Sequence, residues 1–172
     1  SWKRCSSTRA PLAASPTPRL IPCPTLTRSR WRCSGNFAWA ASRDRLESHG
    51  LYDACMIGGG ANALACAVPR TYDHVMRSNI MNGRQREHYL AWAERFHRAA
   101  QGPISCIDGD VYHLWHGDLA DRGGAARHQG LVPFEFDAGA DIAISDTGCW
   151  RWATDKRDLH RYVRNYFAAR KE

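Results

Sequence analysis

Apolar residues recur at helical spacing in two stretches of the chain; elsewhere they come in short runs between glycines and prolines. Over residues 84–101, Tyr89, Trp92, Ala93, Phe96, Ala99 and Ala100 fall on one face of a helix that Gly102-Pro103 ends. A second stripe of Leu159, Tyr162, Val163, Tyr166 and Phe167 predicts a last helix with Thr154 as its cap. Residues 36–41 are apolar and aromatic and predict a short buried strand. Ser42 then caps a helix from Arg43 to about His49, with Gly50 closing it. The run Gly58-Gly59-Gly60 leads into a short alanine-rich helix, residues 61–67, that Pro69 stops. Residues 104–107 and 111–115 predict two strands around Asp108-Gly109-Asp110. Residues 119–128 predict a helix despite Gly123-Gly124, and one strand is expected near 141–144 within an otherwise loop-like stretch. The expected class is therefore α/β, with no internal repeat.

Composition divides this pattern in two. Residues 1–34 hold seven Lys/Arg, no Asp or Glu, five of the eight prolines and ten Ser/Thr, and no apolar period runs through them. Such a segment buries too little apolar surface to offset chain entropy, so a disordered basic tail is expected over 1–34 and a folded body over 35–172. A transit peptide, a nucleic-acid-binding arm and a stretch outside the native reading frame each fit the tail; the abrupt change at residues 34–36 favours the last. The net charge of +7 lies wholly in the tail, so the body has no basic surface for specific nucleic acid. No run approaches the ~20 apolar residues of a membrane helix. The seven cysteines are single and scattered, without a C-x-x-C pair, as in a protein of a reducing, cytoplasmic compartment.

Chemistry concentrates in His113-Leu114-Trp115-His116-Gly117-Asp118, followed by Asp121, Arg122, Arg127 and His128. Two imidazoles at a strand end can converge on a divalent cation or a phosphate, although residues three apart on a strand point to opposite faces. Gly117 allows close approach beside His116, and Asp118 can orient its ring. Gly58, Gly59 and Gly60 can bring backbone N–H groups to an anion, but the run is neither a Walker A loop nor G-x-G-x-x-G. Trp150 and Trp152 flank Arg151 and can stack on a sugar ring or base, core packing being the alternative. Paired carboxylates occur only where turns commonly carry Asp, and no Ser/His/Asp or nucleophilic-cysteine context is present.

In order, N-F-A-W-A-A-S-R-D-R-L-E-S-H-G-L-Y-D-A-C-M-I-G-G-G, R-E-H-Y-L-A-W-A, V-Y-H-L-W-H-G-D-L-A-D-R and G-C-W-R-W-A-T-D-K resemble the C-terminal part of bacterial family 2-like glycosyltransferases. The resemblance covers residues 36 to about 171. It implies the acceptor-side half of a GT-A fold, with a nucleotide-sugar and a glycan acceptor as partners and Mn or Mg as cofactor. It further implies His116, or His113, as a late metal ligand, and substrate contacts from Gly58, Gly59, Gly60, Asp118, Arg122, Trp150 and Trp152. Ala61 and Asn62 stand where that family usually carries an acidic catalytic or acceptor-binding residue, so no catalytic residue is implied here. No acidic residue precedes Asp44, so the D-x-D metal motif of the nucleotide-binding half has no counterpart. The expectation is a glycosyltransferase-like domain inactive by itself; the alternative is a non-catalytic carbohydrate- or protein-binding remnant.

Overall fold

The computed structural model describes residues 3–5, 39–100, 111–113 and 120–170. By its internal contacts the chain forms two units, one of residues 1–40 and 101–116, the other of residues 41–100 and 117–172. In the first, β1 (Lys3–Cys5) pairs antiparallel with β2 (Val111–His113), with Lys3 opposite His113 and Cys5 opposite Val111. The disordered tail expected over 1–34 otherwise lies outside the described residues, as do the strand at 104–107 and residues 114–115. The strand expected at 36–41 is absent from residues 39–41: they have no regular structure, and Trp39 is exposed.

The second unit holds six α-helices, two short 3-10 turns and a hairpin among the described residues. Its elements are α1 (Arg43–His49), α2 (Gly60–Ala67), α3 (Tyr72–Ser78), α4 (Gly83–Ala99), α5 (Gly124–Leu131), β3 (Ile142–Ile144), β4 (Trp150–Trp152) and α6 (Arg157–Ala169). The class is thus mixed helix and strand, with small two-stranded sheets. Among the described residues no helix is long and apolar enough to cross a membrane.

Helix α4 organises the core. Asn82 and Gln85 close a reciprocal capping box at its start: Gln85 N donates to Asn82 Oδ1 at 2.9 Å and Asn82 N to Gln85 Oε1 at 3.1 Å. The periodic face buries Tyr89, Trp92, Ala93 and Phe96. Tyr52 packs against Tyr89 and Trp92, with ring centroids 5.1 and 5.3 Å apart. Two polar atoms in this aromatic layer are satisfied by backbone: Tyr89 Oη donates to Ala63 O, tying α4 to α2, and Trp92 Nε1 donates to His49 O at the end of α1.

Helix α3 was not legible in the sequence. Seven residues give less than two apolar turns, and its start is set by Arg70 at φ +59°, in the left-handed region. Helix α6 also starts later than Thr154 as its cap would place it. Lys156 occupies the cap position, and Thr154 instead donates its hydroxyl to Asp141 at 2.8 Å. Leu159 and Val163 are buried, whereas Phe167 is half exposed.

Gly59 shows how tightly the entry to α2 is built. Its φ of +100° suits glycine, and a Cβ there would come within 2.9 Å of the buried Asn79 side chain. Gly59→Ala is expected to cost about 2–4 kcal/mol, combining backbone strain with overpacking. Asn79→Ala in the same chain should recover only the overpacking part, as read by urea denaturation. A Gly59→Ala midpoint equal to the parent's would contradict this geometry.

Candidate functional site

Two groups of polar and aromatic side chains form in the second unit, on different faces of α6. The first is built on the β3–β4 hairpin, closed by Ser145 N donating to Cys149 O and Gly148 N to Ser145 O, at 2.8 and 2.9 Å. Gly148 takes a φ of +78° there, which a turn of this kind needs. Ile142 pairs with Trp152 and Ile144 with Trp150, so strand alternation sets both indoles on one face of the hairpin. Trp152 stacks on His160 of α6, with centroids 4.2 Å apart and planes 22° from parallel.

Between hairpin and helix lies a cleft of about 220 Å³, walled by Trp150, Trp152, Ile142, Met56, His160, Val163, Arg151 and Arg164. Its size is below the roughly 300–1,000 Å³ of drug-sized pockets and fits about one ring. Trp150 Nε1 and His160 Nε2 are buried and have no hydrogen-bond partner. Such atoms cost stability wherever they occur, and here one belongs to each side of the cleft, Trp150 to the hairpin and His160 to α6. The side chains of Arg151 and Arg164 make no ion pair or hydrogen bond among the described residues.

The second group surrounds the glycine run. Gly58, at φ +89°, lies against Arg127: a Cβ there would sit 3.3 Å from Nη2 and 3.7 Å from Tyr166 Oη. Arg127 Nη1 donates to Arg122 O at 3.0 Å and to Tyr166 Oη at 3.3 Å, while its Nε donates to His128 Nε2 at 3.3 Å. His128 is buried, and burial together with the adjacent Arg127 charge lowers its pKa to about 4. It is therefore a neutral acceptor at pH 7. Nearby, burial and then Asp53 push the Cys55 thiol up to about 12, which makes it a packing group and not a nucleophile. Cys66 is fully buried and Cys149 exposed; no disulfide occurs among the described residues.

The structure thus joins Gly58 with Arg122, through the Arg122 carbonyl, and Trp150 with Trp152. Ala61 is exposed in the first turn of α2, and Asn62 Nδ2 donates to Ser78 Oγ at 3.0 Å. His113 belongs to the β1–β2 unit, while His116 and Asp118 lie outside the described residues. Among the described residues no three of His, Cys, Asp and Glu converge as a metal centre requires. No family model, curated protein or solved structure matches the chain. His160 and Arg164, the helical wall of the cleft, went unnoticed in sequence because a polar i, i+4 pair on an amphipathic helix reads as solvated surface.

Proposed function

We propose that the body of the chain is a carbohydrate-binding domain, the acceptor-side part of a GT-A-type glycosyltransferase, which transfers no sugar by itself. The observation that carries this reading is the one-ring cleft between the Trp150–Trp152 face and α6. The C–H face of a pyranose packs on an indole, and its hydroxyls need a polar group at the rim; aliphatic and aromatic walls edged by His160 supply both. One face of Trp152 is already covered by His160, so ring stacking falls to Trp150 and to the uncovered side of Trp152. The ordered resemblance to family 2-like enzymes supports the glycosyl-transfer context. In that context the nucleotide-sugar and its metal belong to a D-x-D half, and this domain presents the glycan acceptor. Ala61 and Asn62 offer no carboxylate to activate an acceptor hydroxyl, which agrees with a domain inactive alone.

The test is a titration of the 172-residue chain with mono- and disaccharides at millimolar concentration, followed by the indole N–H resonances. Saturable shifts of the Trp150 and Trp152 signals, abolished by Trp150→Ala, are expected. Incubation with nucleotide-sugars should yield no transfer. A full sugar panel that leaves both signals unmoved would refute the reading.

A further inference from the structure

The wall of the Trp cleft is one-sided in charge. Among the described residues its ionisable groups are Arg151, His160 and Arg164, and no Asp or Glu borders it. Three other basic residues around α6 have acidic partners: Lys156 with Asp141, Arg157 with Asp155, and Arg161 with Asp158. Arg164 departs from that pattern; like Arg151, its guanidinium is uncommitted among the described residues. It lies one turn beyond His160, so helix geometry brings both to the same face, over the cleft. Arg151 sits between the two indoles on β4, where alternation sends its side chain off the opposite face. It adds to the local field, and Arg164 is the residue placed for contact.

We infer that the ring held in this cleft carries an acidic group, a carboxylate or a phosphate, and that Arg164 binds it. This inference rests on the carbohydrate reading above and narrows its substrate class. A neutral sugar uses the indole face and leaves the guanidinium in water. An acidic sugar makes the same ring contact and adds a charge-assisted, forked pair of N–H···O bonds, the geometry a guanidinium offers to either anion. Among the described residues the cleft wall holds no acid that would compete for Arg164 or repel the ligand. Arg164 is exposed, so the gain is moderate and screened by salt: about fivefold to tenfold in affinity, falling as NaCl rises.

The experiment titrates the full chain, at low salt, with methyl glucoside, glucuronate and glucose 6-phosphate, read by the Trp150 and Trp152 indole resonances. At least one acidic sugar should bind about fivefold or more tightly than methyl glucoside; which one does identifies the carboxylate or the phosphate as the group recognised. Arg164→Gln should erase that preference and leave methyl glucoside binding unchanged, with the melting temperature as a control on folding. Equal binding of all three sugars, or a preference that survives Arg164→Gln, would overturn the inference while leaving the carbohydrate reading intact. Failure of all three to bind, together with the neutral panel, would sink the carbohydrate reading itself.

Discussion

Asp141→Ala is expected to lower stability by about 3 kcal/mol at pH 7, with the urea midpoint falling and the slope of the transition unchanged. The Asp141 side chain is 1% exposed and takes three hydrogen bonds: from Thr154 Oγ1 at 2.8 Å, from the Asp137 N–H at 2.9 Å and from Lys156 Nζ at 2.9 Å. Its backbone accepts from Ala153 N as well, so one residue fastens the loop before β3 to the segment between β4 and α6. Alanine leaves the Thr154 and Asp137 donors without partners. Lys156, 41% exposed, returns to water at little cost, which keeps the loss toward the lower end for a broken buried pair. Asparagine would not rescue the site fully, because its NH₂ faces donors.

The same residue predicts a pH effect of defined sign. Burial alone would raise the Asp141 pKa, but the Asp137 N–H, Lys156 and Thr154 together hold it below the usual carboxylate value. A lowered folded-state pKa means that the ionised group stabilises the fold above the unfolded pKa of 3.8, and that this is lost as pH falls through the folded value. Lys156→Met should therefore be most destabilising near neutrality and nearly silent in strong acid. A penalty independent of pH would show that Lys156 acts through packing.

The parts of this fold that were legible in sequence are those fixed by local rules. Helix α4 follows from apolar period, α1 from Gly50, which closes it although Ser42 at its start makes no side-chain cap bond, and α2 from three glycines followed by alanines. What sequence did not show depends on partners distant in the chain. Thr154 has the chemistry of a helix cap, yet Asp141, thirteen residues earlier, offers its hydroxyl a buried carboxylate and the helix starts later. Phe167 has the right spacing for the core but lies past the last residue that α6 buries. The tryptophan pair was visible as a candidate. Its cleft was not, because the opposing wall comes from α6 and Met56, and no spacing rule links those residues. The histidine pair was visible only as spacing, and His113 is placed in a different unit from the cleft.

Acidification from about pH 6.5 to 4 is expected to remove about 3 kcal/mol of stability through His128 alone. The ring is 6% exposed, and the small cavity beside it is lined by Tyr52, Cys55, Asn79 and Gln85, with no carboxylate among the described residues to balance a positive charge. Arg127 donates to its Nε2, so protonation would turn an acceptor into a donor facing a donor, beside a fixed cation. Folding thus lowers the pKa from 6.5 to about 4. In that window the unfolded chain binds a proton that the folded chain refuses, so stability falls as pH falls and levels off below the folded value. His128→Gln keeps an acceptor for Arg127 and cannot titrate. Urea midpoints of the two proteins should converge as pH drops from 7 to 4, the parent losing more; parallel curves would show that His128 is not the group responsible. Arg127 also fixes Tyr166 and lies against Gly58, so the parent's acid loss should begin around the glycine turn. Amide exchange at Gly59 and Gly60 should quicken near pH 5 in the parent, relative to His128→Gln at the same pH, while exchange in α4 stays protected.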